Sequence, residues 1–177
     1  MRGRMSYKER ISKGFWIWGQ FDARSEAIIR NNKKKINNIL DGPEFDAHIT
    51  LSGPIMNLDN TLKSKTFKVS TLFSPFTLHP EGIGLKDEFF QSLFIKIKKT
   101  QELLDLKIRI DDELMLNSKN YFPHISLYYG DSTNKLKEGS IKNIAKLDDI
   151  TLDKISLVAV DEAISSWKII ESFELSR

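Results

Sequence analysis

The chain has 177 residues, of which 40% are apolar and 29% charged, a balance typical of one globular domain or of two small lobes sharing a core. Its formal net charge of +3 suits an anionic ligand such as a phosphate ester but is too small for a dedicated nucleic-acid surface. The sequence contains no cysteine, which excludes disulfides, thiolate metal sites and a cysteine nucleophile.

The first segment, MRGRMSYKERISKG, is polar and basic, without the apolar core of a signal peptide. No apolar run in the chain reaches the length of a membrane span. We therefore expect residues 1–13 to be a flexible N-terminal leader. We expect residues 14–177 to form a single domain of a soluble, cytoplasmic protein that is a monomer and has no membrane partner.

The hydrophobic pattern predicts strands and helices in alternation. In chain order the predicted elements are strand 14–21, helix 22–42, strand 45–52, helix 59–72, two or three strands within 75–99, helix 100–116, strand 121–129, helix 131–147 and strands 150–160 and 165–175. Gly42 and Pro43 supply a stop for the first helix, and Asp131 or Ser132 is a suitable N-cap for the last one.

The order strand–helix–strand–helix–strand thus occurs twice. Phe15 and His48 mark the first strand and the motif strand of one unit, and Phe94 and His124 mark them in the other, about thirty residues apart each time, which is the scale of one strand–helix–strand unit. We infer an α+β fold with two pseudo-symmetric lobes that arose by an approximate duplication.

Two similar stretches, FDAHITLSGP from Phe45 and YFPHISLYYGD from Tyr121, each place a hydroxyl residue two positions after a histidine. His48 is followed by Thr50, and His124 by Ser126, 76 residues further along. On a strand, residues two apart share a face. The cleft-facing residues predicted by strict alternation are His48, Thr50, Ser52, His124, Ser126 and Tyr128.

Such a set has a chemical use. Histidine titrates near neutral pH, so that one imidazole can act as a base for water while a second, protonated one acts as an acid for a leaving oxygen. Hydroxyl groups can donate hydrogen bonds to phosphoryl oxygens. No metal or cofactor is required for this chemistry, and we expect none. His79, the third histidine, lacks the pattern and is interpreted as structural or exposed.

The paired His-x-Thr/Ser motifs resemble the signature of the two-histidine (2H) phosphoesterase superfamily. Five segments resemble the plant- and yeast-type cyclic nucleotide phosphodiesterases in the same order: FWIWGQF, GPEFDAHITL, EFFQSLFIKI, NYFPHISLYY and SWKIIESFEL. The resemblance implies a bilobal 2H fold in which each lobe has an antiparallel sheet and helices around a central cleft.

The resemblance also implies an enzyme, a metal-independent phosphoric diester hydrolase. It would open a ribose cyclic phosphate, such as a nucleoside 2′,3′-cyclic phosphate or ADP-ribose 1″,2″-cyclic phosphate, to the 2′- or 1″-phosphomonoester. His48 and His124 match the catalytic histidines, and Thr50 and Ser126 match the phosphate-binding hydroxyls. We assign His124 as the base and His48 as the acid. The expected partner is a small cyclic-phosphate nucleotide or an RNA terminus, which links the chain to RNA metabolism.

Four further residues are candidates for substrate binding. Tyr129 matches a tyrosine beside the family's site, although strict alternation turns it away unless a bulge precedes Gly130; Tyr128 is the alternative. Trp18 and Phe90 lie where the family has cleft-lining aromatic residues, with core packing as the competing interpretation. Gln91 is a candidate contact to phosphate or base.

One departure from the family's pattern and two groups of lysines also bear on the site. The family often has a proline where this chain has Ala47, which affects only the entry to the first motif strand. The run Lys33-Lys34-Lys35 favours a solvated helix face. Lys96 and Lys98 share a strand face and are candidates for steering an anionic substrate.

Three other functions fit the same motifs. The first is a phosphodiesterase for 2′,5′-oligoadenylates or cyclic oligonucleotide signals, and the second is RNA end processing, against which the modest charge argues. The third is a catalytically silent nucleotide-binding module, in which the histidines would be dispensable for function.

Overall fold

The computed structural model describes residues 13–117, 120–142, 144–145, 147–160 and 163–176. The leader expected over residues 1–13 lies outside this range except for Lys13. The described strands are β1 Phe15–Phe21, β2 Ile49–Ile55, β3 Phe76–Leu78, β4 Pro80–Leu85, β5 Leu93–Ile97, β6 His124–Tyr128, β7 Ile150–Ala159 and β8 Lys168–Glu174. The described helices are α1 Ala23–Asn37, α2 Leu62–Ser70, α3 Gln101–Leu114 and α4 Asn134–Ile141.

Every paired strand is antiparallel, in the order β3-β7-β1-β2-β6-β5-β4, and β8 also pairs with β7. The first lobe holds β1, β2, β3, β7 and β8, and the second holds β4, β5 and β6. The two lobe sheets are continuous where β2 meets β6, through the single Cα pair Ile49–Ile125. The predicted α+β, bilobal fold is confirmed.

The lobes are not the two halves of the sequence. Strands β7 and β8 come late in the chain but complete the first lobe, where β7 pairs with β1 along almost its whole length. Helix α1 packs against β6, and α3 packs against β2. Each lobe therefore covers part of the other, and the two lobes are intertwined rather than formed by consecutive halves of the chain.

Some predicted boundaries were wrong. Strand β2 begins at Ile49, not Phe45, because side chains occupy the preceding carbonyls: Lys33 Nζ donates to the Phe45 oxygen, and the His48 ring contacts the Asp46 oxygen. Helix α4 takes Thr133 as its N-cap residue rather than Asp131 or Ser132. The Ser132 hydroxyl is hydrogen-bonded to Tyr128 instead.

The apolar residues of the strands and helices form one main core, in which Ile17, Ile49, Ile125 and Leu157 are completely buried. Because Ile49 and Ile125 are the paired residues between the lobes, the core runs through the junction. The polar residues on either side of each isoleucine therefore face away from this core, on the opposite side of the sheet. None of the described helices is long and apolar enough to cross a bilayer.

Candidate active site

The two histidine motifs lie on neighbouring strands at the junction of the lobes. Ile49 on β2 is paired with Ile125 on β6 in antiparallel register. One step in either direction along this register places His48 opposite Ser126 and Thr50 opposite His124. Directly opposed residues share a face, so the structure brings these four polar side chains together, each histidine beside the hydroxyl residue of the other lobe.

Both imidazoles are held in the same way. His48 Nδ1 lies 2.8 Å from the Asp46 carbonyl oxygen, and His124 Nδ1 lies 2.9 Å from the Phe122 carbonyl oxygen. A carbonyl oxygen only accepts, so each Nδ1 carries the proton of the neutral ring and Nε2 keeps its lone pair. In both lobes the carbonyl belongs to the residue two before the histidine, which fixes the ring and its tautomer locally.

The two histidines differ in burial. The His48 side chain is buried and stacks on Trp18, with ring centroids 3.6 Å apart and 6° between the planes. Burial lowers the pKa of His48 to about 3, against the opposing effect of the Asp46 carbonyl. His124 is half-buried, and its pKa is lowered chiefly by burial and further by the nearby Lys86 cation. His48 is therefore the harder of the two to protonate.

Each motif strand carries a bulge directly after its hydroxyl residue. On β2, Thr50 pairs with Trp18 but Ser52 pairs with Ile17, so one extra residue lies between. On β6, Ser126 pairs with Phe94 but Tyr128 pairs with Leu93, which is the same irregularity. An extra residue reverses the alternation of side chains beyond it.

The bulges overturn the predicted orientation of Ser52 and Tyr128. The Ser52 hydroxyl donates to the Asp111 carboxylate on α3. The Tyr128 hydroxyl donates to the Asp41 carbonyl oxygen at 3.0 Å. Gly130 is required here, because a Cβ at this position would lie 2.1 Å from the Tyr128 hydroxyl oxygen. Both side chains belong to the helix-covered side of the sheet, not to the face of the histidines.

The same bulge turns Tyr129 towards the site. Its hydroxyl is hydrogen-bonded to Ser126, and its ring stacks on Phe45 at 3.9 Å between centroids. Burial raises the pKa of the Tyr129 phenol, so the hydroxyl stays protonated and can donate. Of the two tyrosines considered, Tyr129 is the one that the structure places beside the Ser126 hydroxyl.

The other predicted site residues take different positions. Trp18 is 3% exposed and lies beneath His48, so it supports the imidazole rather than presenting an open ring. Phe90 is half-buried and packs between Tyr129 and Trp167. The Gln91 amide nitrogen lies 3.2 Å from His124 Nε2, and its oxygen accepts from Lys86 Nζ at 2.5 Å.

Sequence reasoning missed Trp167, which lies between β7 and β8. Its ring centroid is 5.9 Å from those of Trp18 and Phe90 and 6.0 Å from that of Tyr129. Its buried indole N–H has no hydrogen-bond partner among the described residues. In the sequence, the signal for Trp167 is its place in the family-like segment SWKIIESFEL.

Lys33 was wrongly predicted to lie on a solvated face. It is 7% exposed, its Nζ donates to the Phe45 carbonyl, and the same nitrogen lies 3.3 Å from the centroid of the Phe45 ring. Burial lowers the pKa of Lys33 to about 7. Because Phe45 contacts the rings of both His48 and Tyr129, Lys33 anchors the segment that leads into the first motif.

The burial difference predicts the order in which the histidines titrate. We expect His124 to take up a proton at a higher pH than His48, which stays neutral down to about pH 3. Nuclear magnetic resonance of the imidazole carbons, assigned with single His→Gln variants, measures both. A His48 signal that titrates together with His124 near pH 6.5, the ordinary histidine value, would contradict the burial.

The same difference gives a sign for the stability. An unfolded chain protonates His48 near pH 6.5, whereas the folded chain does so only near pH 3. Protonation of His48 in the unfolded chain therefore lowers the free energy of unfolding as the pH falls from about 6.5 to about 3. Below pH 3 this loss of stability is complete.

Lys33 is expected to influence this titration. Its charge is one of the causes that lower the pKa of His48, so Lys33→Met should raise that pKa. Lys34→Met, on the exposed side of the same helix turn, is the matched control and should leave it unchanged. The histidine resonance titration reports both variants, and equal shifts in the two would show a general effect of net charge.

Comparisons with known proteins agree with this geometry. A family model described as "Cyclic phosphodiesterase-like protein" matches residues 22–177. This chain belongs to the cyclic phosphodiesterase-like family. The family lies within the 2H phosphoesterase superfamily, as the paired motifs predicted. Membership supports a phosphoesterase activity.

Individual relatives are distant. The chain is 21% identical over 150 residues to a cyclic phosphodiesterase of Arabidopsis thaliana, which covers 84% of this chain and 82% of the relative. The crystal structure of E. coli LigT with 3′-AMP aligns with a TM-score of 0.60 at 12% identity, over 93% of this chain and 99% of LigT. A Thermus thermophilus structure aligns with a TM-score of 0.62 at 14% identity, over 91% and 97% of the two chains. These structures show that the fold is shared.

Proposed function

We propose that this phosphoesterase opens a ribose cyclic phosphate, of the nucleoside 2′,3′-cyclic or ADP-ribose 1″,2″-cyclic type, and leaves the phosphate on the 2′ or 1″ oxygen. The observation that carries the proposal is the antiparallel pairing of the two motif strands through Ile49 and Ile125. It sets two imidazoles and two hydroxyls on one face, where a single phosphate can contact all four.

The hydroxyls serve the phosphate. Thr50 and Ser126 can donate to the two non-bridging oxygens, where negative charge increases as water attacks phosphorus. Tyr129, hydrogen-bonded to Ser126 and neutral, orients that hydroxyl. These donors need no rearrangement because Tyr129 is buried and the strands are fixed by their pairing.

The imidazoles move the protons. The electrostatics of the free protein favour His48 as the base, because burial keeps it neutral, and His124 as the acid, because it is protonated more readily. This reverses the roles that we assigned from the sequence. His48 Nε2 takes a proton from water, the new oxygen–phosphorus bond forms, and the bond from phosphorus to the 3′ (or 2″) oxygen of the ribose breaks. His124 Nε2–H gives its proton to that oxygen, and solvent restores both rings.

Gln91 controls access to the acid. In the free protein its amide nitrogen lies 3.2 Å from His124 Nε2, and Lys86 holds the other end of the amide. A donor on Nε2 favours the neutral ring, so the substrate's leaving oxygen must replace the amide before His124 can act as an acid. Gln91 is therefore positioned to hold His124 Nε2 in the free protein and to give up this contact when the substrate binds.

Hydrolysis of a substrate panel tests the function. The panel contains the four nucleoside 2′,3′-cyclic phosphates, ADP-ribose 1″,2″-cyclic phosphate, 2′,5′-oligoadenylate and cyclic dinucleotides, with each product's phosphate position identified. We expect opening of the cyclic phosphates with the phosphate retained on the 2′ or 1″ oxygen. Cleavage of only 2′,5′-oligoadenylate or only cyclic dinucleotides would overturn the proposed substrate while leaving the phosphoesterase activity.

Chelation tests the metal independence of the reaction. We expect kcat to be unchanged in excess EDTA, because two imidazoles and two hydroxyls can perform every proton transfer and charge stabilisation in the step. Loss of activity in EDTA that returns with a divalent cation would contradict the proposal. The measurement needs protein that was dialysed against the chelator beforehand.

A further inference from the structure

The two sides of the site differ in exposure. On the His48 side, the rings of Trp18 and Tyr129 are almost completely buried. On the His124 side, one neighbouring ring belongs to the buried Phe94 and the other to Phe122, which is 42% exposed. The open side of the cleft is therefore formed by the second lobe, where the large apolar ring of Phe122 borders the site without being part of the core.

Phe122 is fixed in place by the site itself. The centroid of its ring lies 5.6 Å from that of His124, with 28° between the planes. The Phe94 ring is nearly perpendicular to it, with 5.7 Å between the centroids. Its carbonyl oxygen is the group that holds His124 Nδ1. An exposed aromatic ring so close to the reacting imidazole is a suitable surface for stacking a nucleobase.

Two lysines lie on the His124 side of the site. Lys96 is directly opposite His124 in the β5–β6 register, so its side chain is on the same face, and it is exposed. Lys96 forms no ion pair with any residue that the structure describes. Lys86 Nζ lies 5.4 Å from the Phe122 ring centroid, but it is bound to Gln91 and lies 3.8 Å from Glu88. Lys96 is thus the cation available to a further anionic group.

We propose that Phe122 and Lys96 form a second subsite, in which Phe122 stacks the nucleobase and Lys96 binds a second, non-cyclic phosphate of the same substrate. The preferred substrate would then be a cyclic phosphate that carries another phosphate, either as a monoester or within a chain. This inference rests on the proposed function, since the scissile phosphate must lie between the two histidines for its neighbours to reach the subsite.

Matched substrates test the two halves of the subsite separately. Adenosine 2′,3′-cyclic phosphate is compared with the same compound bearing a 5′-phosphate, and with methyl riboside 2,3-cyclic phosphate, which has no base. We expect the 5′-phosphate to raise kcat/KM about fivefold, the effect of one additional ion pair at a partly exposed site. Lys96→Met should remove this difference, and Lys34→Met, on an exposed turn of α1, should preserve it.

Phe122→Ala should lower kcat/KM about tenfold more for the adenosine compounds than for the base-free substrate, as expected for the loss of one stacked base. Phe67→Ala removes a phenylalanine that is 55% exposed on α2 and is the matched control. A dinucleotide that ends in a cyclic phosphate distinguishes the two phosphate sources: acceleration equal to that of the 5′-monoester indicates a nucleotide chain.

Several results would overturn the subsite. Equal loss on all substrates in Phe122→Ala would mean that the ring only supports His124. An equal rate with and without the 5′-phosphate would remove the role of Lys96. With either result, the wild-type protein still hydrolyses the simple cyclic phosphate, so the proposed function stands. A wild-type protein that hydrolyses none of the three matched substrates contradicts the proposed function itself.

Discussion

Replacing His124 by alanine is expected to lower kcat for cyclic-phosphate opening by about 10²- to 10⁴-fold, the usual contribution of general acid–base catalysis. His48→Ala should have an effect of the same order, because each imidazole carries one of the two proton transfers. The double variant should lose little more than either single one, since the two act as a unit. Steady-state kinetics on one nucleoside 2′,3′-cyclic phosphate measures all three.

His79→Ala is the matched control. His79 lies between β3 and β4, where its Nδ1 is 2.7 Å from the exposed Asp149 carboxylate, and it contacts neither motif. Full activity in His79→Ala, with loss in the other two, assigns the chemistry to the paired motifs. If His48→Ala and His124→Ala both retain the biological activity, the chain is a nucleotide-binding module and not an enzyme.

The leaving group separates acid from base. A nitrophenyl phosphodiester has a leaving oxygen that needs no proton, so the variant lacking the acid should recover on it more than the variant lacking the base. We expect His124→Ala to recover activity on this substrate and His48→Ala to remain inactive on it. The reverse result would restore the roles inferred from the sequence and would show that substrate binding inverts the order of protonation in the free protein.

The second large effect is expected at the hydroxyls. Thr50→Val and Ser126→Ala should each lower kcat by about 10²-fold, comparable with the loss of one donor in an oxyanion hole. Both substitutions preserve side-chain size approximately, so the strands should keep their pairing. Circular dichroism and thermal unfolding of each variant check that the fold is retained before kinetics are compared.

Ser52→Ala is a demanding control for these variants. Ser52 lies two residues after Thr50, and strict alternation would place it in the cleft, but it contacts Asp111 on α3. We expect Ser52→Ala to affect stability, because it removes a partner of a buried carboxylate, and to leave kcat close to that of the wild type. A catalytic loss equal to that of Thr50→Val would contradict the bulge in β2.

The main outline of the site could be predicted because it depends on local pattern. A histidine and a hydroxyl two residues apart on a strand share a face whatever the rest of the chain does. The apolar residues between them must enter the core, which fixes that face to the cleft. The repetition of this pattern at His48 and His124 was sufficient to pair the motifs and to identify the superfamily.

The bulges could not be predicted with the same security. A single extra residue in β2 and in β6 reverses every later side chain, and no residue within ITLS or ISLY requires it. The bulge depends on the register with β1 and β5, which lie far away in sequence. Ser52 and Tyr128 were therefore placed on the wrong face, and Tyr129 could be named only beside its alternative.

Burial was decided by contacts between distant segments. Lys33 belongs to a run of three lysines that looks solvated, yet packing of α1 near the first motif buries it against Phe45. Trp18 fits an open platform in the sequence but is covered by His48. Periodicity shows which face of an element is polar; it does not show which other element covers that face.

The sequence by itself determined the fold class, the paired motifs and the four polar groups expected to contact the phosphate, because these follow from strand period and residue chemistry within short segments. Only the tertiary structure decided that His48 is buried and His124 is open, that Tyr129 accompanies Ser126, and that Phe122 and Lys96 border the site. The physical reason is that solvent exposure, and with it the pKa of each histidine, is a property of the packed lobes rather than of any one strand.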